Sequence, residues 1–198
     1  MTAPEVKEWS AGLEGILAKE GEEAQSLFWL HNKAAREAQR RNDYINIPSI
    51  ILQTVTGFMS ATSGLVPPLV LGAFSIFTGI LSTLLSYYRF SARAEGHRVV
   101  SQLYLKIYKN IEIELSLSPE QRMDPSKLLT DVRDKLARIS EVAPDIPDNV
   151  INLYKIQFRE NTTAKPIIAN GLDKIEIYRE DVIVVTPRPR IEIRRLEV

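Results

Sequence analysis

The sequence predicts a mainly α-helical integral membrane protein. It is expected to be a two-transmembrane helical hairpin with long flanking helices on the same side and a short extended or β C-terminal tail. Three observations predict this. No charged residue occurs between Asp43 and Arg89, a stretch about twice the roughly 20 apolar residues that one helix needs to cross a bilayer. Ser63-Gly64-Leu65-Val66-Pro67-Pro68 interrupts it midway, and glycine with a double proline punctuates helices. Basic residues gather outside both ends, whereas the connecting segment carries no charge.

The chain of 198 residues therefore divides into four parts. Residues 1–43 read as N-terminal amphipathic helices, 44–88 as the hairpin, 89–160 as a helical region on the cytoplasmic side, and 161–198 as the tail. The N-terminus has no basic segment followed by an apolar core, so no cleaved signal peptide is expected. Val6, Trp9, Leu13 and Ile16-Leu17 recur with helical spacing. Gly21 is expected to weaken or bend that helix. A second helical stretch, with Leu27-Phe28, His31 and Ala34-Ala35, leads toward the apolar region. His31 sits among aromatics and alanines and reads as a packed helix residue rather than a ligand.

The first span is expected from about Ile45 to Ser63 and the second from about Leu69 to Tyr88. Arg36, Arg40 and Arg41 precede the first; Arg89, Arg93 and Arg98 follow the second. By the positive-inside rule these membrane-flanking basic residues put both termini on the cytoplasmic side. Tyr44, Tyr87 and Tyr88 stand where an interfacial aromatic belt belongs. The competing reading is a buried hairpin in a soluble helical bundle. Asn46, Ser49, Gln53, Thr54, Thr56 and Ser60 favour it, and the lack of any charged face argues against it.

The polar residues of the spans form stripes. Ser49, Gln53, Thr56, Ser60 and Ser63 recur at helical steps in the first span; Gly72, Ser75, Gly79, Ser82 and Ser86 do so in the second. Small residues let helix backbones approach in lipid, where no hydrophobic force pulls helices together. Either the two stripes face each other and close the hairpin, or they face a shared axis in an oligomer and line a watery path. Gln53 is the bulkiest polar group at mid-depth. The spans contain no Asp, Glu, Lys, Arg or His, which argues against a proton relay or a charged selectivity ring.

Beyond the second span the helix is expected to run on without a break, since no Gly or Pro lies between Tyr87 and Phe90. Val100, Leu103, Ile107 and Ile111 continue an apolar stripe that needs a partner helix, from this chain or a second copy. Ser118-Pro119-Glu120 and Asp124-Pro125-Ser126 are helix-start signals. The helix after Pro125 should bury Leu128, Val132, Leu136 and Ile139 and end before Pro144. Ile146-Pro147-Asp148 should start a last short helix. From about Asn161 the pattern changes. Lys174-Ile175-Glu176-Ile177-Tyr178 and Arg190-Ile191-Glu192-Ile193-Arg194 alternate with period two. Such a tail forms a small strand cluster or adds strands to a partner's sheet edge.

Composition excludes several functions. The 25 basic and 25 acidic residues balance, and a nucleic-acid binder normally carries a basic excess. With no cysteine and two histidines, no metal-spaced cluster exists. There is no glycine-rich phosphate loop and no nucleophile elbow. The chain is expected to be no enzyme and to need no cofactor.

The order of features resembles the SLATT family of two-transmembrane proteins. The residues that carry the resemblance are Ile47-Pro48 at the first span, the basic-histidine patch Arg89, Arg93, His97 and Arg98, the segment Leu115-Ser116-Leu117-Ser118-Pro119-Glu120-Gln121-Arg122, and Ala143-Pro144-Asp145-Ile146-Pro147. It covers about Trp9 to Phe158. The resemblance implies a membrane effector that oligomerises and perforates membranes. Stand-alone versions similar to those of large DNA viruses imply a viral structural role instead, such as a minor capsid protein tying a membrane to a shell, with the termini on the equivalent side of a virion membrane. Two functions are therefore carried forward. One is a non-enzymatic structural anchor or scaffold that sits in a lipid bilayer, forms a homo-oligomer and binds a protein partner through residues 161–198. The other is a pore-forming or membrane-perturbing effector.

Overall fold

The long helix α1 (Ala11–Ala61) runs for 51 residues without interruption, about 75 Å at 1.5 Å per residue. The structure, a computed structural model, describes residues 8–61 and 66–170. After α1 come α2 (Pro68–Tyr88), α3 (Phe90–Ser116), a single 3-10 turn at Pro119–Gln121, α4 (Pro125–Val142), α5 (Asp148–Gln157) and the one-turn α6 (Ile167–Asn170). No strand occurs among the described residues.

Two sequence signals for interrupting α1 are overridden. Gly21 does not interrupt the helix; it is a contact point. A Cβ built there would lie 3.2 Å from Cγ2 of Ile111, so glycine lets α3 come close. Pro48 stands inside the helix. It has no N–H to give to the carbonyl four residues back, a loss that ordinarily kinks a helix. The helix nevertheless continues through it to Ala61.

The first core lies where α1, α3 and α4 meet. Leu17 and Ala24 of α1 pack with Val100, Tyr104, Ile107 and Ile111 of α3 and with Leu128, Val132 and Ile139 of α4. On α1 the buried positions Leu17, Gly21, Ala24, His31 and Ala35 fall at steps of three, four or seven, the spacing of a coiled-coil seam. The apolar stripe of α3 thus finds its partner inside the chain. A second core sits on another side of α1. Leu30 and Ala34 pack there with Ile146, Val150, Ile151 and Tyr154 of the α5 region and with Ala169. The Tyr154 hydroxyl and the Ser26 hydroxyl are hydrogen-bonded at 2.8 Å in the buried interface.

Chain turns are fixed by charge and capping. Arg122 donates from Nε to the Leu117 carbonyl at 2.9 Å and from Nη2 to the Leu115 carbonyl at 3.2 Å. The same guanidinium pairs with Glu14 and lies 4.9 Å from the Trp9 ring centre, joining the end of α3 to the start of α1. Asp124 caps α4 by accepting the Lys127 N–H at 3.0 Å, as the Asp-Pro signal predicts. The Ser118-Pro119 signal yields the 3-10 turn alone.

The expected unbroken passage from the second span into α3 is corrected by the structure. Arg89 adopts a left-handed backbone, φ 48° and ψ 40°, and separates α2 from α3. Its N–H still bonds to the Leu85 carbonyl at 3.1 Å, and its own carbonyl accepts from the Arg93 N–H at 3.1 Å. The redirection therefore costs little hydrogen bonding; its cost is the left-handed conformation, roughly 1–2 kcal/mol for an L-residue. Tyr88 and Phe90 stack across the joint with ring centres 5.2 Å apart.

Among the described residues one helical stretch, starting at Pro68, is long and apolar enough to cross a membrane. Most of the tail expected to be extended, residues 171–198, lies outside the described residues. Its described part, 161–170, ends in the helical turn α6 with Ala169 buried.

Truncating the core should separate buried from surface positions. Leu128→Ala, at 0% exposure, should lower unfolding stability by about 2–5 kcal/mol, whereas Val142→Ala, at 69% exposure, should change it by less than about 0.5 kcal/mol. Denaturant unfolding followed by helical circular dichroism measures both.

Candidate functional site

The last turns of α1 and all of α2 form an apolar pair whose outer surface is bare. Ile47, Ile50, Ile51 and Phe58 of α1 and Leu69, Ile76, Phe77 and Ile80 of α2 are each more than half exposed. Folded domains in water rarely expose so many large side chains in one region. Tyr44 and Tyr87 stand exposed near the end of the pair from which α1 and α3 continue.

The two polar stripes have different surroundings. On α1, Ser49 is fully buried and Thr56 is half-buried, whereas Gln53 and Ser60 are exposed. On α2, Gly72, Ser75, Gly79, Ser82 and Ser86 are all exposed. A Cβ added at Gly72 or Gly79 would meet open space. The contact with α1 is instead made by the neighbouring register of Leu71, Phe74, Thr78, Leu81 and Leu85, all buried or half-buried. Apart from Ser82, which Gln53 of α1 reaches at 3.4 Å, the small-residue stripe of α2 therefore faces outward rather than closing the hairpin.

Hydrogen bonding within the pair is mostly local. Thr56, Ser60 and Ser75 donate to the carbonyls of Leu52, Thr56 and Leu71, one turn back, at 2.7, 2.9 and 2.9 Å. Such bonds satisfy a hydroxyl without a partner helix. Gln53 is the exception. Its amide donates to the Ser49 hydroxyl at 2.9 Å and reaches the Ser82 hydroxyl on α2 at 3.4 Å. Ser63 lies outside the described residues.

The six basic residues of the flanks are all exposed. Arg36 and Arg98 line one cleft of about 490 Å³ between α1 and α3, together with Gln39, Ser91 and Glu95. Arg89 is the left-handed joint itself. Arg40, Arg41 and Arg93 stand outside that cleft.

One feature was not legible as a site. His97, expected in a basic patch with its arginine neighbours, is inside the molecule. His31 and His97, at 2% and 4% exposure, meet across the α1–α3 seam with their Nδ1 atoms 2.9 Å apart. The Tyr104 ring stacks on His31 with centres 5.7 Å apart. Burial, reinforced by the neighbouring His97, lowers the His31 pKa to about 4, and burial also lowers that of His97. The available signal was register: His97 falls at steps of three with Ala94 and Val100 on the buried face of α3. No group of three or more His, Cys, Asp or Glu side chains able to hold a metal occurs among the described residues.

No family model, curated protein or solved structure matches this chain.

The asymmetry between the stripes is testable by adding bulk. Ser49→Leu should destabilise the hairpin by about 1–3 kcal/mol through overpacking, while Ser75→Leu should leave protomer stability unchanged. Thermal unfolding of the detergent-solubilised protein distinguishes them; equal effects would contradict the outward orientation of α2.

Proposed function

We propose that the chain is a non-enzymatic integral membrane protein in which the end of α1 and the whole of α2 cross the bilayer as a two-span hairpin. Both termini then lie on one side. Supporting this are the charge-free run from Tyr44 to Tyr88 and the exposed apolar surface of both helices. Water would charge about 25 cal/mol for each Å² of that surface, whereas lipid would not. The arginines then sit at the headgroup level, where basic residues belong on a cytoplasmic flank.

The observation that carries the functional reading is the outward stripe of Gly72, Ser75, Gly79 and Ser86, with Ser82 at its edge touching Gln53. On a lone hairpin it would spend small, polar contacts on lipid. Against a second copy it permits close helix packing and interhelical hydrogen bonds, each contributing on the order of 1 kcal/mol. In our reading the protein self-associates through this stripe and acts as a structural anchor or scaffold. The helices on the α1–α3 seam form the extramembrane body, and residues 161–198 bind a protein partner. This agrees with the SLATT-like order of features and with a role tying a membrane to a protein layer.

A second reading is favoured by Gln53. Its exposed amide links Ser49 to Ser82, so an assembly closed around these residues would have a polar lining. The protein would then be a pore-forming effector. The hydroxyls that bond back to their own helices favour packing over conduction.

Reconstitution into liposomes separates the readings. Gly79→Leu should reduce oligomers seen by subunit-counting photobleaching while leaving insertion intact. The anchor reading expects no dye release from wild-type vesicles. Dye release that Gln53→Leu abolishes would make the pore reading the correct one. Carbonate-extractable protein would refute membrane insertion altogether.

A further inference from the structure

The only two histidines of the chain are 66 residues apart in sequence, yet their rings touch in the most extensive helix interface of the fold. A contact of 2.9 Å between two Nδ1 atoms requires a single proton between them. One ring donates its Nδ1–H; the other accepts with its Nδ1 lone pair. Both rings are then uncharged, which suits a buried place.

We propose that the His31–His97 pair is a proton-operated clasp on the α1–α3 seam, which stays shut with at most one added proton and is driven open by the second. The stereochemistry carries the step. A first proton goes to Nε2 of the donating ring and leaves the Nδ1–H···Nδ1 bond in place. The accepting ring already carries its hydrogen on Nε2, so a second proton must go to its Nδ1. Two N–H groups would then face each other at contact distance, each on a charged ring. The pair can hold that state only by parting, and because both rings are buried in the seam, parting them disturbs the packing that holds α1 against α3.

Protons can reach the pair. A cleft of about 790 Å³ is lined by Glu23 of α1, His31, Tyr104 of α3, Asp145 of the α4–α5 link, and Asp148 and Lys155 of α5. These are the titratable groups that line the cleft together with His31. The carboxylates would favour a charged imidazole, yet the lowering of His31 is set by burial first and by His97 second. On α3 the charged neighbours of His97, Glu95 and Arg98, are exposed in the cleft on the Arg36 side, one of each sign. The sign follows from linkage. His31 titrates at about 4 folded against 6.5 unfolded, so the shut seam has its full stability above 6.5 and loses it as pH falls toward 4. The inference goes beyond the membrane reading and does not require it, because both rings lie outside the hairpin.

The absence of cysteine allows a direct test. Asn32→Cys and Gln102→Cys, on either side of the α1–α3 cleft, are spin-labelled in the full-length protein. The expected result is a label separation that is constant at neutral pH, lengthens as pH falls from 6.5 toward about 4, and recovers on neutralisation. His97→Gln should flatten the response, since glutamine can accept from His31 without taking a proton. A separation that does not change, or a variant that responds as the parent does, would overturn the clasp. Because His97→Gln can disturb folding, the ring Cε1–H resonances of the unsubstituted protein supply an independent measurement. Midpoints shifted downward from 6.5, with His31 near 4, support the proposal; two independent midpoints near 6.5 would sink it.

Discussion

The seam between α1 and α3 is the constraint on which the rest of the structure depends. A helix as long as α1, with Gly21 and Pro48 inside it, has no reason to persist alone, since glycine costs roughly 1 kcal/mol and proline about 3 kcal/mol in a helix interior. Pairing reverses the balance over its N-terminal half. Gly21, Ala24, Ala35, Ala94 and Ser101 are small and buried, so the backbones run close. Leu17, Val100, Ile107 and Ile111 fill the space between. With that rod in place, α4 lies against it from one side and α5 from another, each bringing its own apolar face.

The same helix carries two kinds of surface. From Lys19 to Asp43 its exposed residues are charged or polar; from Tyr44 onward the exposed face is hydrocarbon broken by Gln53, Thr54 and Ser60. The buried residues of the N-terminal half include alanines, a glycine and a histidine, and the buried residue of the C-terminal half is a serine. Small side chains thus recur among the buried contacts of α1 in both halves, beside Leu17, Leu30 and His31 in the first, and the outer faces differ. The outward stripe on α2 fits the proposed assembly for the same reason: small residues mark where a backbone comes near, whether that backbone belongs to the chain or to a copy.

Much of the helical framework was legible in the sequence because it is punctuated locally. Asp124-Pro125 and Ile146-Pro147-Asp148 start helices where they are found, and the stripe from Val100 to Ile111 marks the buried face of α3. What was not legible depends on neighbours. Gly21 reads as a breaker until Ile111 is placed against it. In α2 the stripe of Gly72, Ser75, Gly79, Ser82 and Ser86 and the stripe one residue earlier have identical periodicity; in an almost wholly apolar helix, periodicity cannot tell which of them meets α1. Arg89 has no sequence mark of a joint, since left-handed backbone is usually left to glycine. The meeting of His31 with His97 required the register of two helices to be known together.

The joint at Arg89 gives the molecule a mechanical asymmetry. Of the two connections between the apolar pair and the body, α1 is a continuous rod, while the return path is cut at one residue held in a left-handed backbone. The direction in which α2 meets α3 is thus set at one residue, whereas the apolar end of α1 is a direct continuation of the rod. That residue is an exposed arginine flanked by the stacked rings of Tyr88 and Phe90, a composition that fits the headgroup level in the proposed membrane reading.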